Sequence, residues 1–180
     1  MRRRGGVAGD AGAAGELIRL TPHASRLTPH ASRLRAIFCC YNRSFDDQGQ
    51  LVVRLQTEAK LSVQNAIREG VFQLAWSAVI DLENDANPDM AHREAIAKWR
   101  RFASVDLALT DRIEALANEY AELGAKPMDA LHVASAVESG ASYFLTTDKA
   151  LLRKMVAERR IRVVDPLDFI RLIEGTTDEN

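Results

Sequence analysis

From residue 35 onward, short apolar runs alternate with longer stretches in which apolar residues return every three or four positions. That alternation of strand and helix periods leaves few architectures open. Arg35–Cys40 (RAIFCC) reads as a buried strand. The stretch Leu51–Arg68 reads as a helix with Leu51, Leu55, Ala59 and Val63 on one face, completed by Ala66 and Ile67 and ended by Gly70. Phe72–Trp76 predicts a second strand, and Ser77 caps a short helix carrying Asp81 and Glu83. Asn87-Pro88-Asp89 supplies a cap and a first-turn proline for a helix running to about Phe102. Val105–Leu109 predicts strand three, followed by a helix capped by Thr110 and stopped by Gly124. A further helix, Met128–Ser139, opens at Pro127 and closes at Gly140. Ser142–Thr146, a helix over Asp148–Ala157, Ile161–Val164 and a helix over Pro166–Ile173 complete the order. The expected fold is α/β, three layers α/β/α with a mainly parallel sheet of about five strands.

The first 34 residues do not share this pattern. Five glycines crowd positions 5–15, and Leu20–Arg26 (LTPHASR) is repeated letter for letter by Leu27–Arg33. A repeat with a proline in each copy makes neither a continuous helix nor a central strand, and two copies are too few for a solenoid. Residues 1–34 therefore read as a disordered extension, 35–174 as the folded domain and 175–180 as a tail. His23 and His30 are repeat copies without Cys or acidic company, a poor basis for a metal site.

Charge follows the same division. Residues 1–35 hold seven arginines against Asp10 and Glu16, a balance of +5, while the remainder holds 17 basic and 23 acidic residues, a balance of −6. A body of that sign does not hold nucleic acid by global charge, but an enzyme that grips it through bound metal ions needs no basic body. With 47% hydrophobic and 27% charged residues the composition is that of an ordinary folded domain. No apolar run reaches the roughly 18 residues of a spanning helix, and the arginine-rich start has no continuous apolar region behind it. The chain reads as cytoplasmic. Cys39 and Cys40 are sequence neighbours that point to opposite faces of a strand and lack CxxC spacing, so they read as structural thiols.

In a parallel sheet, ligands gather at the carboxyl ends of the strands. Glu83 lies in the helix after strand two, Asp129 in the first turn of the helix opened by Pro127, and Asp148 directly after strand four. Three carboxylates from three segments can therefore meet on one edge. Crowded carboxylates resist ionisation unless a cation neutralises them, and such oxygen donors suit Mg2+ or Mn2+. Each acid also has a plainer reading: Asp129 and Asp148 as first-turn helix acids, Glu83 as a solvated surface residue.

Three separated segments carry a family resemblance. Pro127–Asp148 (PMDALHVASAVESGASYFLTTD) resembles the most recognisable part of PIN-domain proteins, where an aspartate opens an apolar helix and the next strand ends in Thr-x-Asp. Cys39–Gln48 (CCYNRSFDDQ) resembles the loop after strand one in a subgroup near the VapC-type toxin nucleases. Asp165-Pro166-Leu167-Asp168-Phe169-Ile170 is similar to that subgroup's ending. The resemblance runs in register over about residues 36–174. It implies a Mg2+- or Mn2+-dependent endoribonuclease in which Glu83, Asp129 and Asp148 match the second, third and fourth acidic metal ligands, and Thr146 the hydroxyl residue supporting the last. It also implies RNA as substrate, an antitoxin partner and a homodimer.

The resemblance has one break. The family's first strand ends in an aspartate where this chain has Ile37, which cannot ligate a cation. Either the domain is a degenerate one, or a shifted reading frame or local rearrangement replaced the start of strand one, which the adjoining repeat would fit. Asp46 and Asp47 accompany the usual aspartate in the family and are not its substitutes. His132 reads as a packed or hydrogen-bonded helix residue, and Trp76 and Trp99 as packing residues. Two other functions stand beside the nuclease: a non-catalytic module that keeps the fold and binds an antitoxin-like partner or RNA, which Ile37 favours, and a different α/β enzyme. The last has little to support it, since the chain contains no GxGxxG, GxxxxGK[ST] or GxSxG.

Overall fold

The structure is a computed structural model and describes residues 35–38 and 51–175. The N-terminal extension with its repeat and two histidines, Cys39, Cys40, Asp46, Asp47 and residues 176–180 lie outside the described residues. The chain is mixed α/β with short parallel strands. In order these are β1 (Arg35–Phe38), α1 (Leu51–Arg68), β2 (Gln73–Ser77), α2 (Ala78–Asp85), α3 (Met90–Ala97), a 3-10 turn (Arg100–Phe102) and β3 (Ala103–Leu107). Then follow α4 (Asp111–Glu122), α5 (Pro127–Glu138), β4 (Tyr143–Leu145), α6 (Lys149–Lys154), β5 (Arg162–Val164) and α7 (Pro166–Gly175).

The strands pair in the order β3-β2-β1-β4-β5, each pair parallel. From β1 the chain steps outward through β2 to β3, then returns to the other side of β1 for β4 and β5. The order thus reverses between β1 and β4, the place where parallel sheets open a crevice at their carboxyl edge. Burial follows position. Leu74 to Ser77 of β2 are all buried, as in a strand covered on both faces, while β3 alternates between half-buried and exposed residues, as an edge strand does. Trp76, Phe144, Leu74, Leu145 and Val133 are fully buried, each worth roughly 1.5–3 kcal/mol of transfer free energy. Phe169 of α7 closes the core edge-on to Phe72 at 5.5 Å and to Tyr143 at 5.0 Å between ring centres.

Local chemistry sets most of the helix ends. Thr110 accepts from the Ile113 amide at 3.3 Å, and Pro127 opens α5 where a missing N–H costs nothing. Gly140 takes φ +70°, which lets the Ala141 amide reach back to the Ala136 carbonyl at 3.1 Å and turns the chain into β4.

Five local expectations are corrected. The cap of α3 is Asp89, which accepts from the His92 amide at 3.0 Å; Pro88 stands before the cap rather than in the first turn. That helix does not run to Phe102: it ends at Ala97 and a 3-10 turn follows. Strand three lies two residues earlier than expected, at Ala103–Leu107, aligned there by its pairing with β2. Ser77 sits at the cap of α2, but its side chain makes no capping bond.

The fifth correction is the buried face of α1. The stripe is Val53, Gln56, Thr57, Ala59, Lys60, Val63, Gln64 and Ile67, so Ala59, Val63 and Ile67 are buried as expected, whereas Leu51 and Leu55 are exposed. The Gln56 amide donates to the Asp165 carboxylate, and that same carboxylate accepts from the Leu167 amide at the start of α7. This polar bond ties α1 to α7 on the face that carries Val53 and Gln56, and Leu51, Val52 and Leu55 lie on the exposed side.

Candidate metal-binding edge

Asp148 stands three residues past the end of β4 and caps α6. Its Oδ1 accepts from the amides of Ala150 at 2.7 Å and Leu151 at 3.1 Å, and its Oδ2 lies 3.5 Å from the Lys126 ammonium. Those amide bonds, Leu151 first, hold its carboxyl below the usual range against the opposing effect of burial. Thr146, buried, holds the approach: its hydroxyl accepts from the Asp148 backbone amide at 3.1 Å, while its own amide donates to the Val164 carbonyl at 3.0 Å.

Asp129 is in the first turn of α5. Because α5 leads back to the start of β4, its N-terminus lies at the carboxyl edge, beside Asp148, as the Lys126 contact requires. Asp129 accepts no hydrogen bond and joins no ion pair among the described residues. Burial pushes its carboxyl above the ordinary range, and the negative charge of Asp148 adds to that push. Lys126 and His132 pull the other way, and Glu83 adds a smaller upward push.

Glu83, on α2, is half exposed and turns toward α5. Its Oε2 lies 2.9 Å from Nε2 of His132, a ring that is 2% exposed. This hydrogen bond lowers the Glu83 carboxyl below its usual range despite partial burial.

The structure thus brings Glu83, Asp129 and Asp148 into one electrostatic neighbourhood but not into one ligand shell. Among the described residues, no group of three or more His, Cys, Asp or Glu side chains stands close enough to hold a metal ion. The reason is visible in the bonds: Glu83 is drawn to His132, and Asp148 to the end of α6 and to Lys126. The donor set still suits a hard cation in kind, since ions such as Mg2+ keep several waters and take only one or two carboxylates from the protein. Asp129, pushed up by burial and by a neighbouring carboxylate, marks where a positive charge would relieve the site. Ile37 enters at backbone level only, paired in register with Phe144 of β4.

Two members of this edge had no assigned partner in the sequence reading. Lys126 reads only as the start of the helix that Pro127 opens, and His132 reads as a packed or hydrogen-bonded helix residue, as its burial and its bond to Glu83 bear out. The signal for His132 was its spacing, three residues after Asp129 and so on the same helix face. Trp76 and Trp99 pack as expected. Trp76 is fully buried with its ring N–H donated to Asp81 at 2.9 Å, and Trp99 is covered by the Arg68 guanidinium 4.6 Å from its ring centre.

No protein-family model matches the sequence, and no curated protein matches it. Among solved structures, a chain in the crystal structure of VapBC2 from Rickettsia felis bound to a DNA fragment from their promoter superimposes with a TM-score of 0.46 at 9% identity. The match covers 73% of this chain and 98% of that one. At that overlap the likeness carries no weight for activity, metal or partner. What defines the class is the chain itself: a mixed α/β protein with parallel strands and an acidic carboxyl edge. Among the described residues no helix is long and apolar enough to cross a membrane.

Proposed function

We propose that this chain is a PIN-like, three-layer α/β/α domain of the VapC-type toxin class, acting as a Mg2+- or Mn2+-dependent endoribonuclease weakened by Ile37. One observation carries the reading. Asp129 is a half-buried carboxylate, without a hydrogen-bond partner among the described residues, whose ionisation is opposed by burial and by Asp148 at a strand edge. Perturbed acids in such places are functional-site candidates. The sequence resemblance assigns the same residues, and right-handed crossovers on a strand order that reverses at β1 would cover both faces of the sheet.

In this reading Asp129, Asp148 and Glu83 hold the ion, and Thr146 fixes the backbone from which Asp148 projects. Mg2+ or Mn2+, when bound, lowers the pKa of a water and offsets charge on a phosphodiester undergoing in-line displacement. Lys126, 72% exposed beside Asp148, offers a positive charge at the edge where the RNA backbone would arrive. RNA as substrate, an antitoxin that silences the site, pairing as a homodimer and a cytoplasmic setting belong to the same proposal and rest on the sequence resemblance.

Purified full-length protein supplied with Mn2+ should cleave RNA to products with 5′-phosphate and 3′-hydroxyl ends, and Asp129→Asn should abolish the cleavage. Cutting that survives loss of both Asp129 and Asp148 overturns the proposal. A second reading, a fold-keeping module that binds an antitoxin-like partner or RNA without catalysis, is favoured by Ile37 and by the protein partners that already occupy Glu83 and Asp148. Calorimetry separates the two, because that module would show no heat of Mn2+ binding at millimolar metal.

A further inference from the structure

We propose that Arg68, Lys98 and Arg101 form a binding surface for the phosphodiester backbone of a single-stranded nucleic acid, set apart from the acidic edge and using none of its residues. Charge first singles the place out. Residues 91–102, which make α3 and the 3-10 turn, hold Arg93, Lys98, Arg100 and Arg101 against Glu94, inside a body whose balance is −6. The turn directly precedes β3, and Arg68 ends α1 just ahead of β2. The patch therefore lies at the amino ends of two paired parallel strands, opposite the carboxyl edge. Aromatic rings tie it together. The Arg68 guanidinium lies 4.6 Å from the Trp99 ring centre, that of Arg101 4.8 Å from the Phe102 ring centre, and the two ring centres are 5.5 Å apart.

These cations differ from the paired arginines of the fold. Arg100 is shared between Asp81 and Asp106, Arg112 faces Glu138, Arg160 faces Glu119 and Glu158, and Arg171 faces Asp168. Arg68, Lys98 and Arg101 are exposed and join no ion pair among the described residues. An aromatic ring attracts a guanidinium without using up its N–H donors, so both arginines keep a planar fork that matches phosphate oxygens in pairs. A polyanion is the partner that fits. On a body of net negative charge, a few local cations gain from a nucleic acid because each phosphate they neutralise releases condensed counterions. An acidic peptide carries no such atmosphere and meets repulsion from the rest of the surface. Trp99 is buried and Phe102 half-buried, so the contact is to the backbone rather than by base stacking.

The test is fluorescence anisotropy of a labelled single-stranded RNA, and of a DNA of the same sequence, with the full chain in EDTA, so that neither divalent metal nor cleavage enters. Arg68→Gln combined with Arg101→Gln, checked for folding by circular dichroism, should weaken binding about tenfold at about 50 mM salt. The slope of log affinity against log salt should become shallower by about 1.4, the value for two phosphate contacts on a single strand. The seven arginines of residues 1–35 are present in every variant, so the difference reads the patch alone. Arg68→Lys combined with Arg101→Lys keeps the charges and should keep the slope. Arg112→Gln combined with Arg171→Gln removes the same charge from paired sites and should change neither reading. The more tightly bound oligonucleotide identifies the source of the phosphodiester. An unchanged slope in the Arg68 and Arg101 glutamine variant, an equal loss in the Arg112 and Arg171 variant, or a polyglutamate peptide bound as tightly as the nucleic acid overturns the proposal. A chain that binds no Mn2+ at its acidic edge leaves it standing.

Discussion

Two charged clusters in this molecule use the same residue types to opposite ends. Around Arg160 the guanidinium meets Glu119 at 3.1 Å and Glu158 at 3.0 Å, and lies over the Tyr120 ring at 5.1 Å. Burial would raise the Glu158 carboxyl, but bonds from the Arg160 side chain, the Arg160 amide and the Arg159 amide bring it down to about 2. Both carboxylates there are in direct ion pairs with the one guanidinium. At the carboxyl edge, Glu83, Asp129 and Asp148 share one lysine and one buried histidine, and Asp129 is left above its ordinary range. The acids of the first cluster are all paired, whereas the second keeps a half-buried acid without a partner among the described residues, the kind of group at which function is sought.

The contrast breaks most visibly at position 37. If the edge is a metal site short of one ligand, Ile37→Asp should tighten Mn2+ binding by at least about tenfold, since a direct ligand should be worth no less than an outer one. RNA cleavage should rise with it. Equal Mn2+ binding in both proteins would mean that position 37 does not face the edge. The Arg160 cluster answers to stability instead. Arg160→Met should cost about 1–2 kcal/mol in urea melts, between the values for exposed and buried pairs, and leave Mn2+ binding unchanged. Its pH dependence has a definite sign. Glu158 is held below its unfolded value of 4.5, so its contribution is complete above pH 4.5 and is lost as pH falls toward about 2. Arg160→Met should flatten that acid limb.

How far the sequence foretold these regions depended on whether a feature is local. The strand and helix alternation was legible because period and punctuation are local: α1 begins and ends at the expected residues, Thr110 caps α4, and Gly124 and Gly140 turn the chain with positive φ. The three acids could be assigned to the carboxyl edge because parallel connectivity puts strand ends there. The buried face of α1 was only partly legible, because hydrophobicity reveals neither the bond across the chain from Gln56 to Asp165 nor the buried Thr57, Lys60 and Gln64 on the same helix. The partners of the acids were hidden for the same reason. Nothing near Glu83 in sequence points to His132, and Lys126 becomes a counter-charge only once α5 is laid beside Asp148.

The smallest expected effect divides the two clusters most cleanly. Asp129 holds its proton more tightly when folded than its ordinary value of 3.8, so ionising it works against the fold. That penalty is present in full above the raised pKa, shrinks as pH falls through it, and is gone below 3.8. Asp129→Asn removes the charge at nearly constant shape and should therefore stabilise the metal-free protein at neutral pH by about 0.5 kcal/mol, the low end of what a charge-optimising substitution commonly yields. The gain should vanish in acid. Saturating Mn2+ should reverse the order, because an ion that binds only the folded parent raises its melting temperature and gives the variant nothing. A competing force has the opposite sign: an acid in a first turn is favoured by the helix dipole, worth about 0.3–1 kcal/mol at most exposed sites. If Asp129→Asn melts lower than the parent without metal, the dipole dominates, and Asp129 is an ordinary helix-start acid rather than the centre of a cation site.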